Sequence, residues 1–269
     1  MRVLQVSEDI PYPSLGGLAK HVMTLVRALI RDGHQVDVLG GIQHPLEVAG
    51  ADGEFDGQFF GELRWHLTGW KENRLGVFMP PRRPWIARNM ARCIVEHADS
   101  YDVVHYHGHF PTIGKYIPER IPFLQTRHDQ GSDCLRNTRF RDGGICNRLD
   151  AADCASCITS KPNALQRVIS AISVKNHRKD VVEAYRRHKT IFVSDMLRRN
   201  FVRVAGPGEW GKVLHNFVDI VDASPTADDV ELSYGGGGFP LRICSRDAIS
   251  PKRHWSACRR FYKNSATRN

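Results

Sequence analysis

Residues 1–41 read MRVLQVSEDIPYPSLGGLAKHVMTLVRALIRDGHQVDVLGG. Val3–Val6 is a short apolar run, followed by a loop with Pro11, Pro13 and the pair Gly16-Gly17. Leu18, Val22, Leu25, Val26, Leu29 and Ile30 then recur at three- and four-residue spacing, with Lys20, Arg27 and Arg31 off that face. Such spacing predicts an amphipathic helix, and Gly33 supplies its stop. Val36–Leu39 is a second apolar run. Strand, glycine turn, helix and strand in succession form a βαβ unit, which predicts a parallel sheet covered by helices.

The glycine pair opens the predicted helix. Backbone N–H groups are unpaired there and the helix dipole favours negative charge, so a phosphate can sit at this end. Equally, two glycines simply let the loop turn. The spacing is not the GxGxxG dinucleotide fingerprint, and the longer proline-containing loop argues against one.

Composition sets the bounds. The chain has 269 residues, room for one large domain or two small ones. Its 38 Lys and Arg against 29 Asp and Glu leave a net charge of +9. That excess points to an anionic partner: a phosphate-bearing substrate, an acidic membrane surface or nucleic acid. No apolar run is long enough to span a bilayer. Glu8, Asp9 and Pro11 interrupt any signal-peptide pattern, so the cytoplasm is the expected location. No internal repeat and no nucleic-acid-binding motif stands out.

Further along, Gly50–Gly76 reads as one or two short strands and loops around Phe59, Phe60, Leu63 and Trp65. Trp85–Ala98 is a helix with Trp85, Ile86, Met90, Ile94 and Val95 on one face. Arg82, Arg83, Arg88 and Arg92 make this region basic, either as a solvated face or as an anion site. Tyr101–His109, YDVVHYHGH, is a buried strand ending in histidines. Ligands in an open parallel sheet bind beyond the carboxyl ends of strands, which puts His105, His107 and His109 where chemistry occurs. Their alternation also suggests a metal, although no carboxylate follows closely. Pro122–Asp129, PFLQTRHD, is the next strand and its exit.

Cys134, Cys146, Cys154 and Cys157 fall close together, the last two as C-x-x-C. Two thiolates at that spacing can grip one metal and two more can complete a tetrahedron, so a structural zinc site is expected; unligated thiols and redox or iron–sulfur chemistry are the alternatives. Asn163–Lys189 is helical, with Leu165, Val168, Ile169, Ile172, Val181, Val182 and Tyr185 as its apolar positions. Lys175, Arg178, Lys179, Arg186, Arg187 and Lys189 make it strongly basic, which suits a solvated face or a patch that docks on anionic lipid or a lipid-phosphate acceptor. Thr190–Ser194 is a short strand and Asp195–Val204 a helix.

Several of these stretches carry a resemblance. Ser7–Val22, with its Pro-Tyr-Pro, Gly-Gly and His-Val, resembles the first loop and helix of family 4 glycosyltransferases. Asp102–His107 resembles that family's D-V-V-H-x-H segment, Thr126–Asp129 its T-x-H-D, and Val213–Asp219, VLHNFVD, its N-x-V-D. The resemblance spans roughly residues 1–220 and implies an α/β chain: a Rossmann-like parallel sheet with helices on both faces, the N-terminal half of a GT-B fold. It implies a retaining hexosyl transfer from a nucleotide-sugar to a hydroxyl of a glycan or lipid-linked acceptor, without a catalytic metal. His107 would be the active-site histidine near the transferred sugar, with His105 the weaker candidate. Gly16 and Gly17 would approach the donor phosphate beside Lys20, His128 and Asp129 would orient the acceptor, and Asn216 and Asp219 match the end of the domain. A cysteine-rich insertion at about 130–160 is similar to one in some members, which makes Cys134, Cys146, Cys154 and Cys157 a local staple.

The family pattern then calls for a second Rossmann-like domain that binds the nucleotide-sugar. The expected division is a first domain over 1–222 and, over 223–269, a linker and cut-short start of the second. From Lys252 onward, a reading one nucleotide later with free codon choice gives a stretch similar to a helix of that second domain, so a frameshift is one account of the tail. Activity is therefore expected to be impaired, unless a separate C-terminal half or a homodimer supplies the donor site. The alternative is a non-catalytic module that binds an acceptor or a partner chain.

Overall fold

The structure is a computed structural model that describes residues 1–10, 17–41, 57–63, 83–158 and 163–217. Expectations about Pro11, Pro13, Gly16, Arg82, Asp219 and everything from 223 onward lie outside these residues.

Seven strands form one sheet: β1 (Arg2–Val6), β2 (Gln35–Gly41), β3 (Phe59–Leu63), β4 (Val103–His107), β5 (Phe123–Arg127), β8 (Lys189–Phe192) and β9 (Lys212–Val213). Their order is β3-β2-β1-β4-β5-β8-β9 and every neighbouring pair is parallel. A two-stranded antiparallel hairpin, β6 (Phe140–Arg141) and β7 (Gly144–Ile145), stands apart. The helices are α1 (Gly17–Arg31), α2 (Arg83–Ala98), α3 (Ala151–Ile158), α4 (Ala164–Arg187) and α5 (Asp195–Ala205).

Strand alternation sends successive side chains to opposite faces of the sheet. Val3, Val36, Val38, Val103, Leu124 and Ile191 join Ala19, Val22, Leu25, Val26 and Leu29 of α1 in one core. Leu4, Val6, Leu39, Val104, Tyr106 and Phe123 join Ile86, Ala87, Met90, Ala91 and Ile94 of α2 in another. The expected Rossmann-like sheet with helices on both faces is therefore what the chain forms. Double burial explains why its strands read as continuous apolar runs. Gly33 ends α1 at φ +81°, a conformation that disfavours any side chain.

Two readings of helix faces need correction. In α2, Trp85 is exposed and Arg83 is buried, where its guanidinium donates to the carbonyls of Leu135 and His109 at 2.9 and 3.0 Å. Paired carbonyls satisfy a buried cation in place of water. In α4 the C-terminal half joins the domain core, where Val181, Ala184 and Tyr185 pack with Phe192, Leu197, Phe201 and Trp210, while Val174 packs in a small separate cluster with Leu135 and Ala151. Leu165, Val168, Ile169 and Ile172 lie in solvent instead. Periodicity marks a face as apolar, but only neighbouring elements decide whether it is covered. Asn163 caps α4 by accepting from the Gln166 amide at 2.8 Å, and the Gln166 side chain returns the bond to the Asn163 amide at 3.1 Å.

Candidate functional site

The strand order reverses between β1 and β4, and in such sheets the crevice at the carboxyl ends of the diverging strands is where ligands bind. Three strand exits meet there: Glu8 and Asp9 after β1, His107, Gly108 and His109 at the end of β4, and Arg127, His128 and Asp129 at the end of β5.

Glu8 is buried and accepts from the His109 amide at 2.5 Å and the Tyr106 hydroxyl at 3.1 Å. Burial pushes its carboxyl pKa up, while the His109 charge pulls the other way. A side chain at Gly108 would collide with the Glu8 carboxylate and the Tyr106 hydroxyl, so only glycine lets the two exits approach this closely.

His109 lies between two carboxylates. Its Nδ1 donates to Asp129 at 2.8 Å and its Nε2 to Asp9 at 3.3 Å. Burial works against the charged ring, but the bonds to Asp129 and Asp9 and the nearby Glu8 outweigh it and raise its pKa to about 11. The imidazolium is therefore the resident form at neutral pH. Arg127 has no exposed surface; it donates to the Gly108 carbonyl at 2.6 Å and to Asp129 at 3.0 Å. Burial alone would raise the Asp129 pKa, yet Arg127 and His109 hold it well below the usual carboxylate range. Asp129 also accepts from the Gly131 amide at 2.8 Å, capping a one-turn 3₁₀ helix. Capping and ion pairing thus share one carboxylate.

Beside this charged row lies a neutral one. His107 Nδ1 is 3.0 Å from His128 Nε2, and the His21 ring of α1 meets His128 edge-on at 4.9 Å between centroids. Burial depresses all three pKa values, to about 4 for His21, about 3 for His128 and well below the ordinary range for His107. His107 is fully buried, with Nε2 unpartnered among the described residues, and reaches a small pocket shared with His21, Thr126, Leu214 and Phe217. His105 is tied to the Thr126 hydroxyl at 2.7 Å, a structural role. Ring nitrogens of His21, His107 and His128 lie within 4.8 Å of one another, a spacing that suits a metal ion. The buried Arg127 cation alongside opposes a dication, and Asp129 is already committed to Arg127 and His109.

The remaining candidates sit farther out. Gly17 and Lys20 are exposed on the first turn of α1, with open space around Gly17, and His21 is one residue further along that helix. Asn216 is exposed after β9. Cys134, Cys146, Cys154 and Cys157 are free thiols that line a single pocket with Arg136, Arg139, Arg141 and Arg148. Their sulfurs form no trio within 4.8 Å among the described residues. Sequence reasoning passed over Glu8, Asp9, His21 and Arg127. Glu8 and Asp9 follow the first apolar run directly, the one signal that would have placed them at a strand exit.

Comparisons with known proteins complete the description. No curated protein matches the sequence. Among solved structures, a UDP-N-acetylglucosamine 2-epimerase from Rickettsia bellii is 12% identical, with 80% of this chain and 45% of that chain covered at a TM-score of 0.39. The glycosyltransferase VinC in complex with dTDP is 14% identical, with 72% and 49% covered at a TM-score of 0.34. The chain thus spans about half the length of these two structures. The model of Glycosyltransferase Family 4 matches residues 15–222, more than half of the chain and all of it from the start of α1 to beyond β9. The chain belongs to Glycosyltransferase Family 4.

Proposed function

We propose that the crevice at the ends of β1, β4 and β5 is the acceptor side of a retaining hexosyltransferase. A nucleotide-sugar supplies the hexose, and a hydroxyl of a glycan or lipid-linked acceptor receives it. The bond from the sugar's anomeric carbon to the diphosphate breaks and a bond to the acceptor oxygen forms. The observation that carries this reading is the Asp9–His109–Asp129 row, backed by Arg127 and set at the strand reversal. Fixed carboxylates there can orient an acceptor hydroxyl, with Asp129 and His128 in that role and His107 contacting the sugar from the pocket beneath. The exposed start of α1 at Gly17 and Lys20 presents backbone N–H groups and a cation to the donor phosphate. The nucleotide is held by a second lobe, in this chain, in a separate one or across a dimer.

The second reading, a non-catalytic module that binds an acceptor, rests on the same crevice without the donor. Titration calorimetry of the purified chain with a panel of nucleoside-diphosphate sugars, followed by a transfer assay, separates the two. Saturable donor binding with impaired sugar transfer is the expected result. A folded sample that binds acceptor glycans but no donor leaves only the module.

We infer also that the four cysteines hold a structural zinc ion. Four thiols on one pocket suit its tetrahedral preference. Burial raises the Cys154 pKa, and Arg178, which donates to its sulfur at 3.3 Å, pulls the other way.

A further inference from the structure

Eight large hydrophobic side chains are exposed among the described residues, and six of them fall between 140 and 172: Phe140, Ile145, Leu165, Val168, Ile169 and Ile172. The last four stand at i, i+3, i+4 and i+7 on the first two turns of α4, each between 44% and 67% exposed. Residues so spaced form one stripe along a helix, and no other described element covers it. Lys175 and Lys179, both exposed, continue the stripe at the same spacing. From Asn163 to Lys179 the helix and its cap carry Arg167, Lys175, Arg178 and Lys179 and no Asp or Glu. Phe140 and Ile145 belong to the hairpin of the same subdomain, where Arg141 ties β6 to the Asp153 carbonyl of α3 at 3.2 Å. The hairpin and α3 fall within the cysteine-bearing insertion.

We propose that this face of the insertion docks on an anionic lipid bilayer. The argument is charge complementarity combined with shape. An aliphatic stripe running into cations, on the face of α4 turned away from α3, can sink its side chains at the headgroup–acyl boundary while the lysines meet lipid phosphates. A second copy of the chain is a poorer occupant. It would bring the cationic ends of two stripes together, where like charges repel. Nucleic acid is poorer again, because bases stack on aromatic rings and this stripe is aliphatic. None of these residues lines the crevice, so the proposal stands whether or not the hexosyltransferase reading does.

The test is co-sedimentation of the full chain with vesicles of phosphatidylcholine alone and of phosphatidylcholine with one quarter phosphatidylglycerol. Binding is expected to the anionic vesicles only, weakening on the order of tenfold between 0.1 and 0.5 M salt as the screening length shortens and the lysines lose their attraction to lipid phosphates. The variant Leu165→Ser with Ile169→Ser is expected to lose binding at least about tenfold with an unchanged melting temperature, because both side chains already sit in water. A Lys175→Glu, Lys179→Glu variant is expected to lose the preference for anionic lipid. Equal sedimentation of parent and serine variant overturns the proposal. So does a concentration-dependent dimer, seen by light scattering, that the serine variant abolishes.

Discussion

His109 is a histidine that behaves as a permanent cation, and its neighbours His21 and His128 are histidines that stay neutral. Sign decides what each does to stability. The His109 pKa is raised to about 11 in the fold, so its stabilisation is complete below its unfolded value near 6.5 and fades as pH climbs toward 11. The pKa values of His21, at about 4, and of His128 and His177, each at about 3, are depressed. There the unfolded chain takes up protons first, and stability falls as pH drops from about 6.5 toward 3–4. Thermal unfolding across pH 4–10 is thus expected to show a maximum near neutrality, with melting temperatures lower by several degrees at each end, on the order of 5 °C. His109→Gln is expected to flatten the alkaline limb and keep the acid one. An unchanged alkaline limb would show that the Asp9–His109–Asp129 row contributes nothing to folding.

At the scale of elements, the sequence pattern was informative where a side chain's neighbours lie nearby in the chain. The unit β1–α1–β2 was legible because one helix face carries Val22, Leu25, Val26 and Leu29 and all four are buried. Glu8 and Arg127 were not legible: the partners of Glu8 lie about a hundred residues away, at Tyr106 and His109, and Arg127 reaches the carbonyl of Gly108. Buried polar contacts between distant strand exits leave no periodic signature. The N-terminal half of α4 was misread for the opposite reason, since its signature is strong and its partner is not among the described elements. The cysteine insertion tests the element scale directly. If zinc staples Cys134, Cys146, Cys154 and Cys157, elemental analysis should find about one zinc per chain, and a chelator should lower the melting temperature by several degrees. Cys154→Ser should lower zinc content to the same degree. Metal-free protein with an unaltered melting profile would leave the thiols as unligated.

At the scale of the whole molecule, one helix links the insertion to the core, alongside the bonds of Arg83 to the Leu135 carbonyl and of Arg203 to Asn147. By its 24 residues α4 is about 36 Å long. Its exposed stripe is at one end, its core anchor is at the other, and His177 in between donates from Nε2 to the Gly131 carbonyl at 2.8 Å. The Gly131 amide in turn donates to the Asp129 carboxylate. A helix of this length is stiff on the scale of a domain, so on the bilayer proposal it would act as a beam, with its load at the exposed stripe and a strut at His177. Weight on the stripe is delivered to the loop that aims Asp129. Hydrogen exchange at the Gly131 amide should slow when the chain sits on anionic vesicles and should not change in His177→Leu, which removes the strut. On the bilayer proposal, a molecule built this way would sense the surface it rests on in the same place where it would receive its acceptor.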